Sequence, residues 1–201
     1  MFKNIVLIIA GYFIGSIPFG YIAGKIRGID IRREGSGNIG STNVSRVLGK
    51  KTGTIVQILD ILKGALPVII AQILKLDIPV VILCGLASIC GHNWTIFLGF
   101  KGGKGVNTSL GVALALMPMP AIICFFIWVV VVKIWKYVSL ASILASAAFP
   151  VIVISSNKYP LIINILSVVV AAFIIIRHRS NIKRLLAGTE SKIGTKKATE
   201  K

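Results

Sequence analysis

Gly35-Ser36-Gly37-Asn38-Ile39-Gly40-Ser41-Thr42-Asn43-Val44-Ser45-Arg46 is a polar stretch set between two runs apolar enough to cross a bilayer. Its glycines allow left-handed backbone and close approach of N–H groups to a ligand, while Ser36, Asn38, Thr42, Asn43 and Arg46 add side-chain donors. That combination suits phosphate oxygens; the alternative is an ordinary flexible turn between spans. Two further polar islands, Lys101-Gly102-Gly103-Lys104-Gly105 and Arg177-His178-Arg179-Ser180-Asn181, carry similar chemistry and weigh against the turn.

Around these islands the chain is 55% hydrophobic and 14% charged over 201 residues, with a mean hydropathy of +0.88. The fold class read from this is all-α: a polytopic membrane bundle, because several runs approach the ~20 residues a spanning helix needs. Period-2 alternation, the mark of an outer-membrane barrel, is missing. The first run, Ile5 to Ile26, lacks a small-x-small cleavage site and reads as a retained span rather than a signal peptide.

The net charge is +17, from 23 Lys+Arg against 6 Asp+Glu. The positive residues sit in loops between spans, where membrane topology alone predicts them, so no nucleic-acid partner is implied. Asp30, Glu34, Asp60, Asp77, Glu190 and Glu200 form no cluster of the kind that holds Mg²⁺, so a metal-dependent transfer is disfavoured and no metal ligands are assigned. Cys84, Cys90 and Cys124 lie in apolar runs without paired metal-ligand spacing.

Span one, about Asn4 to Lys25, carries Gly11, Gly15, Ser16 and Gly20 near one helical face, with Pro18 expected to kink it or loosen its last turns. Span two, Thr52 to Leu74, contains Asp60 and Lys63 on one face. An intramembrane charge costs about 2.5–3.5 kcal/mol, so the two read as a structural pair facing each other or buttressing a polar site. Span three, Ile78 to Leu98, ends near His92. A His-x₄-Asp acyltransferase motif would need an acid at position 97, which is Phe97, so His92 reads as a packing or interfacial histidine.

The second island precedes a new apolar run, which places it at a helix N-terminus where free N–H groups face an anion. Neither it nor Gly49-Lys50-Lys51-Thr52 has P-loop spacing, and hydrolysis of ATP or GTP is unsupported. The run Asn107–Val132 is interrupted at Pro118-Met119-Pro120. With those prolines as an outer turn, only Lys3, Lys75 and Lys158 stay outside while the basic loops and tail collect inside. That gives about seven spans, N-terminus out and C-terminus in; a re-entrant hairpin would place the charges identically. Residues 1–190 are expected to form a single transmembrane domain and 191–201 a basic disordered cytoplasmic tail suited to anionic headgroups. All three islands then emerge on one side and can converge.

The runs Gly35 to Arg46, Phe100-Lys-Gly-Gly-Lys-Gly-Val106 and Arg177-His-Arg-Ser-Asn-Ile-Lys-Arg184, followed by Gly188 and Glu190, resemble the three signature motifs of the bacterial membrane acyl-phosphate:glycerol-3-phosphate acyltransferases. The resemblance extends from the first span to Glu190 and includes Asp60-Ile-Leu-Lys63-Gly64; Asn107 stands where a small residue such as alanine is common. It implies transfer of a fatty acyl group from acyl phosphate to the 1-hydroxyl of glycerol 3-phosphate, giving lysophosphatidic acid and phosphate without a cofactor. It further implies a bacterial plasma membrane enzyme whose site faces the cytoplasm among membrane lipid, with the soluble enzyme that makes acyl phosphate as a candidate partner.

Carried over by motif, Ser36, Arg46, Lys104, His178 and Asn181 are the expected catalytic residues. Gly37, Asn38, Gly40, Thr42 and Asn43 would cradle the acyl phosphate, Lys101, Gly102, Gly103 and Gly105 would bind glycerol 3-phosphate, and Glu190 would be structural. Ser36 as a covalent nucleophile is the sharper alternative, but no partnered base stands near it in sequence. The basic residues also suit a phosphate-ester or anion transporter, against which the placement of the islands on one face, rather than at the midplane, counts.

Overall fold

The computed structural model describes residues 1–194. They are helical wherever they are regular: α1 (Phe2–Ser16), α2 (Phe19–Ile26), α3 (Ser41–Leu48), α4 (Lys50–Ile73), α5 (Ile78–Asn93), α6 (Val106–Leu116), α7 (Pro118–Trp135), α8 (Val138–Ser155), α9 (Leu161–Arg177) and α10 (Arg179–Leu186). The chain divides into two compact units, Met1–Pro118 and Met119–Lys201.

Five helical stretches are long and apolar enough to cross a membrane: Phe2–Ile26, Lys50–Ile73, Ile78–Leu98, Pro118–Trp135 and Val138–Ser155. A sixth is reached if α9 and α10, bent by 57°, are taken as one path. The helical membrane bundle is thus as the hydropathy demands, whereas the expected seven spans are reached only by adding α6. At 11 residues α6 is about 16 Å long, roughly half of a ~30 Å hydrocarbon core. The proline interruption does break the chain, with α6 ending at Leu116 and Pro118 opening α7, a position where its missing N–H costs nothing.

In the first unit, helices meet on small residues. Gly11 and Gly15 of α1 lie against the backbone of Cys84 and Ser88 on α5, and Gly64 of α4 and Gly111 of α6 lie against the Thr108 and Ile61 carbonyls across their shared interface. A Cβ at any of these positions would collide with backbone, so the glycines set the interhelical distance. Pro18 separates α1 from α2 as expected. Two carbonyls at this break accept from neighbouring elements: Thr95 Oγ1 donates to Ser16 O at 2.6 Å and Lys63 Nζ to Ile17 O at 2.7 Å.

Pro67 lies within α4 and cannot donate to the carbonyl four residues earlier, that of Lys63. Ser88 Oγ of α5 donates to that carbonyl instead, at 2.8 Å. Such substitution is what lets a proline persist in a membrane helix, where water does not complete the ladder.

The second unit contains α7 to α10. Trp128 Nε1 donates to Ser142 Oγ at 3.3 Å between α7 and α8. Of the residues assigned to the tail, Ile193 N donates to Lys136 O at 2.8 Å and Lys192 Nζ sits 5.3 Å from the Tyr137 ring centre. The remainder of that segment, 195–201, lies outside the described residues.

Candidate active site

The first motif begins on a short 3-10 turn, Ile31–Arg33, capped by Asp30, which accepts from Arg32 N at 3.1 Å. Arg32 also donates to both carboxylate oxygens, Nε to Oδ1 at 2.9 Å and Nη2 to Oδ2 at 2.7 Å, and stacks on Tyr21 at 4.7 Å. These bonds hold the Asp30 carboxyl well below the usual carboxylate range. Asp30 is therefore spent on its neighbour and offers no base.

Beyond this turn the loop is folded around one buried amide. Asn43 accepts from Ser36 N at 2.8 Å through Oδ1, and its Nδ2 donates to Ile31 O at 3.2 Å and Glu34 O at 3.0 Å. Asn38 Oδ1 accepts from Gly40 N at 2.7 Å, and Gly37 N donates to Glu34 O at 2.9 Å. Gly35 and Gly37 have φ of 58° and 70°, backbone that L side chains rarely adopt. A Cβ on Gly35 would strike the Asn43 oxygen.

This alters the expected cradle. The N–H groups of Ser36, Gly37 and Gly40 are consumed within the loop, and the Asn43 amide, expected to contact substrate, is bonded to the loop itself. The N–H groups of Ser41 and Thr42, in the first turn of α3, have no intrahelical acceptor. Ser36 is exposed at the loop's crest and Arg46 is exposed in the last turn of α3.

The second motif is pinned to the end of α5. Gly102 N donates to Asn93 O at 3.1 Å and Gly103 N to His92 O at 3.0 Å. The glycines expected to present N–H groups to a phosphate instead allow the loop to lie directly on α5: a Cβ on Gly102 would meet the His92 carbonyl and the Asn93 backbone, and one on Gly103 the His92 imidazole at Nε2. Gly105, with φ of 82°, is the N-cap of α6. The chain enters α6 there with Lys101 exposed and Lys104 half-buried ahead of the positive helix end.

The two motifs are joined. Asn107 Nδ2, in the first turn of α6, donates to Ser41 Oγ, the first residue of α3, at 2.9 Å. Two helix N-termini thus stand side by side, with Arg46 in the last turn of α3 and Lys101 and Lys104 in the loop that leads into α6.

Beneath them lies a buried charged chain. Lys63 Nζ is 2.8 Å from Asp60 Oδ1 with both side chains 3% exposed, and His92 Nδ1 is 3.7 Å from the same oxygen. Lys63 also lies 5.4 Å from the Phe19 ring centre. The structural pair expected from the sequence is present, and His92 is its third member.

The third motif belongs to the second unit. Glu190 Oε1 accepts from Ser139 Oγ and Asn181 Nδ2, both at 2.7 Å, and its Oε2 accepts from Arg184 Nε at 2.6 Å. Burial opposes ionisation of Glu190, but these bonds from Ser139, Asn181 and Arg184 outweigh it and lower its carboxyl below the ordinary range. Glu190 thereby ties α10 to the start of α8. His178, buried at the α9–α10 bend, has Nδ1 2.8 Å from Ile174 O. A carbonyl only accepts, so Nδ1 carries the proton and a neutral ring keeps its lone pair on Nε2.

The model of the glycerol-3-phosphate acyltransferase family matches residues 5–188. The chain belongs to that family. Among curated relatives, a glycerol-3-phosphate acyltransferase of Trichlorobacter lovleyi is 49% identical over 92% of this chain and 95% of its own. One from Aquifex aeolicus is 47% identical over 94% and 98%. Among solved structures, PlsY (YgiH), an integral membrane glycerol 3-phosphate acyltransferase, superposes with a TM-score of 0.91 in its glycerol 3-phosphate form and 0.88 in its lysophosphatidic acid form. The identities are 45% and 44%, covering 96% of both chains. The resemblance drawn from the three motifs is thereby established as membership, and the chain is a multi-pass membrane protein.

Two residues of this family member, Ser41 and Asn107, join the first two motifs and carry no sequence expectation of doing so. Ser41 sat unremarked inside the first motif, and Asn107 was noted only as larger than the usual occupant. The excess size was the available signal, since an amide at a helix N-terminus reaches farther than a methyl group. His92, expected as a packing or interfacial histidine, lies against both Asp60 and Gly103, contacts far apart in sequence.

Proposed function

We propose that this protein transfers a fatty acyl group from acyl phosphate to the 1-hydroxyl of glycerol 3-phosphate, releasing lysophosphatidic acid and inorganic phosphate. The observation that carries the reading is the Asn107–Ser41 bond, which sets two cationic helix N-termini beside each other, an arrangement matched to two phosphorylated reactants. That a similar solved protein occurs in glycerol 3-phosphate and lysophosphatidic acid forms supports the same acceptor and product here.

In this reading the start of α3 with Arg46 binds the acyl phosphate, and Lys101, Lys104 and the start of α6 bind glycerol 3-phosphate. The glycerol oxygen attacks the acyl carbon, the bond to the phosphate oxygen breaks, and phosphate leaves with the electron pair. The hydroxyl proton passes to a substrate phosphate oxygen. Holding the two reactants in line can supply about 7–11 kcal/mol of the barrier, and each donor at the developing oxyanion about 2.7–4 kcal/mol. Acyl phosphate is already an activated anhydride, so neither nucleotide nor coenzyme A need take part.

Ser36 then acts as a hydrogen-bond donor rather than a nucleophile, since its hydroxyl has no histidine or carboxylate partner within its own unit. His178 and Asn181 complete the polar contacts, and residues 1–190 work as one transmembrane acyltransferase domain in a bacterial plasma membrane, facing the cytoplasm. The soluble enzyme that makes acyl phosphate is a proposed partner. The test offers detergent-purified protein glycerol 3-phosphate with either acyl phosphate or acyl-CoA. Lysophosphatidate with one phosphate released per product from acyl phosphate alone is the expected result. Use of acyl-CoA overturns the donor assignment, and passage of glycerol 3-phosphate into vesicles without product replaces the enzyme with a transporter.

A further inference from the structure

His92 touches both the buried Asp60–Lys63 pair and the glycine loop, and neither contact is explained by the reaction just described. Its Nδ1 side faces Asp60 Oδ1 at 3.7 Å, while Nε2 lies where a Cβ of Gly103 would be. The main chain of His92 accepts from Gly103 N at 3.0 Å, so the loop is bonded to the same residue whose ring forms its floor. The ring has no room to yield: it is 5% exposed, and Asp60 is itself fixed by Lys63, which reaches on to Ile17 O at 2.7 Å.

We propose that His92 is a positioning residue for glycerol 3-phosphate, its imidazole serving as a rigid floor that fixes Gly103 and thereby the height of Lys104 and of the α6 N-terminus over the site. The ring touches no reactant. Its effect passes through two residues of backbone to the cation and helix end that hold the acceptor's phosphate. The inference rests on the reading that Lys101–Gly105 binds glycerol 3-phosphate, and it adds what fixes that loop: a chain from the Ile17 carbonyl through Lys63, Asp60 and His92 to Gly103. A shift of a few tenths of an ångström in that floor weakens acceptor binding while leaving the acyl-donor half of the site, on α3, in place.

A compensation experiment tests it. Gly103→Ala puts a methyl group into the imidazole and is expected to raise KM for glycerol 3-phosphate about tenfold or more, with KM for acyl phosphate within about twofold. His92→Ala alone is expected to raise the same KM about threefold, and Gly103→Ala in the His92→Ala background to add little, because the obstacle is gone. Gly102→Ala faces backbone, not the ring, and gains no relief from His92→Ala. Additive effects of Gly103→Ala and His92→Ala, or equal relief of Gly102→Ala, overturn the proposal, as does a loss confined to kcat.

Glycerol 3-phosphate-dependent thermal stabilisation of each purified variant gives a binding readout without turnover, and it keeps the test decisive if Gly103→Ala does not fold: His92→Ala must then show weaker stabilisation by glycerol 3-phosphate at unchanged stabilisation by acyl phosphate. Wild-type protein that is stabilised by glycerol 3-phosphate yet makes no product refutes the proposed reaction but not this inference. Wild-type protein that glycerol 3-phosphate fails to stabilise refutes the inference.

Discussion

Asp60 and Lys63 are buried to 3% exposure and 2.8 Å apart, and a pair so placed is more dangerous to break than to remove. Asp60→Asn strands the Lys63 ammonium and is expected to cost about 3–5 kcal/mol, whereas Asp60→Asn with Lys63→Met costs less than that single change. Thermal unfolding in detergent reads the difference, and a double variant less stable than Asp60→Asn contradicts it. Arg46→Ala is expected to reduce kcat/KM by about 10²–10³ with unchanged unfolding temperature, since the guanidinium is exposed and in the proposed reaction meets the developing charge. Asn43→Ala should lose activity through a different route, a loosened loop, visible as faster proteolysis between Glu34 and Gly40. Glu190 gives a pH prediction. Its folded carboxyl lies below its unfolded value, so its contribution is fully present above about pH 4.3 and fades as pH falls through the lower folded value. Glu190→Gln should therefore flatten the acid limb of the unfolding profile, and an unchanged limb would assign that limb to other groups.

Among elements, α4 shows how a bundle absorbs a proline. The Lys63 carbonyl that Pro67 leaves open is taken by Ser88 Oγ, so Ser88→Ala is expected to destabilise by about 1–3 kcal/mol by stranding a buried acceptor. Activity measured well below the unfolding temperature should change far less than stability. The contact between α4 and α6 is set by Gly64 and Gly111; Gly111→Val forces the helices apart and is expected to cost about 1–3 kcal/mol. Because α6 carries the second motif, this variant should also weaken glycerol 3-phosphate binding, which a purely local packing defect would not. Asn107→Ala cuts the bond to Ser41 and leaves both helices standing. Its expected signature is a fewfold loss of kcat with little shift in either KM, as befits a group that aligns two sites without binding either reactant.

For the whole molecule the decisive quantity is sidedness. From the charge asymmetry of the loops, Ser36, Lys104 and Asn181 are expected to face the cytoplasm. Single cysteines at the exposed Ser36, Lys101 and Arg179, in a chain cleared of Cys84, Cys90 and Cys124, should react with an impermeant maleimide in inside-out vesicles and not in intact cells. Labelling of Ser36 and Arg179 from opposite sides would end the idea of one site drawing on all three motifs.

The sequence alone carried the membrane bundle, the three motifs and the pairing of Asp60 with Lys63, because each is written locally: in run length, in glycine and cation clusters, in an i,i+3 pair. Local signals also placed the kink at Pro18 and the break at Pro118. What they could not carry was the disposal of donors. Whether a glycine N–H faces a ligand or a neighbouring carbonyl depends on which helix end lies beneath the loop, and only the fold put Asn43 under the first motif, His92 and Asn93 under the second, and Asn107 across from Ser41. Composition fixes how many hydrogen bonds a polar loop can make, and long-range packing chooses the partners, since a buried N–H takes the nearest acceptor the surrounding helices offer.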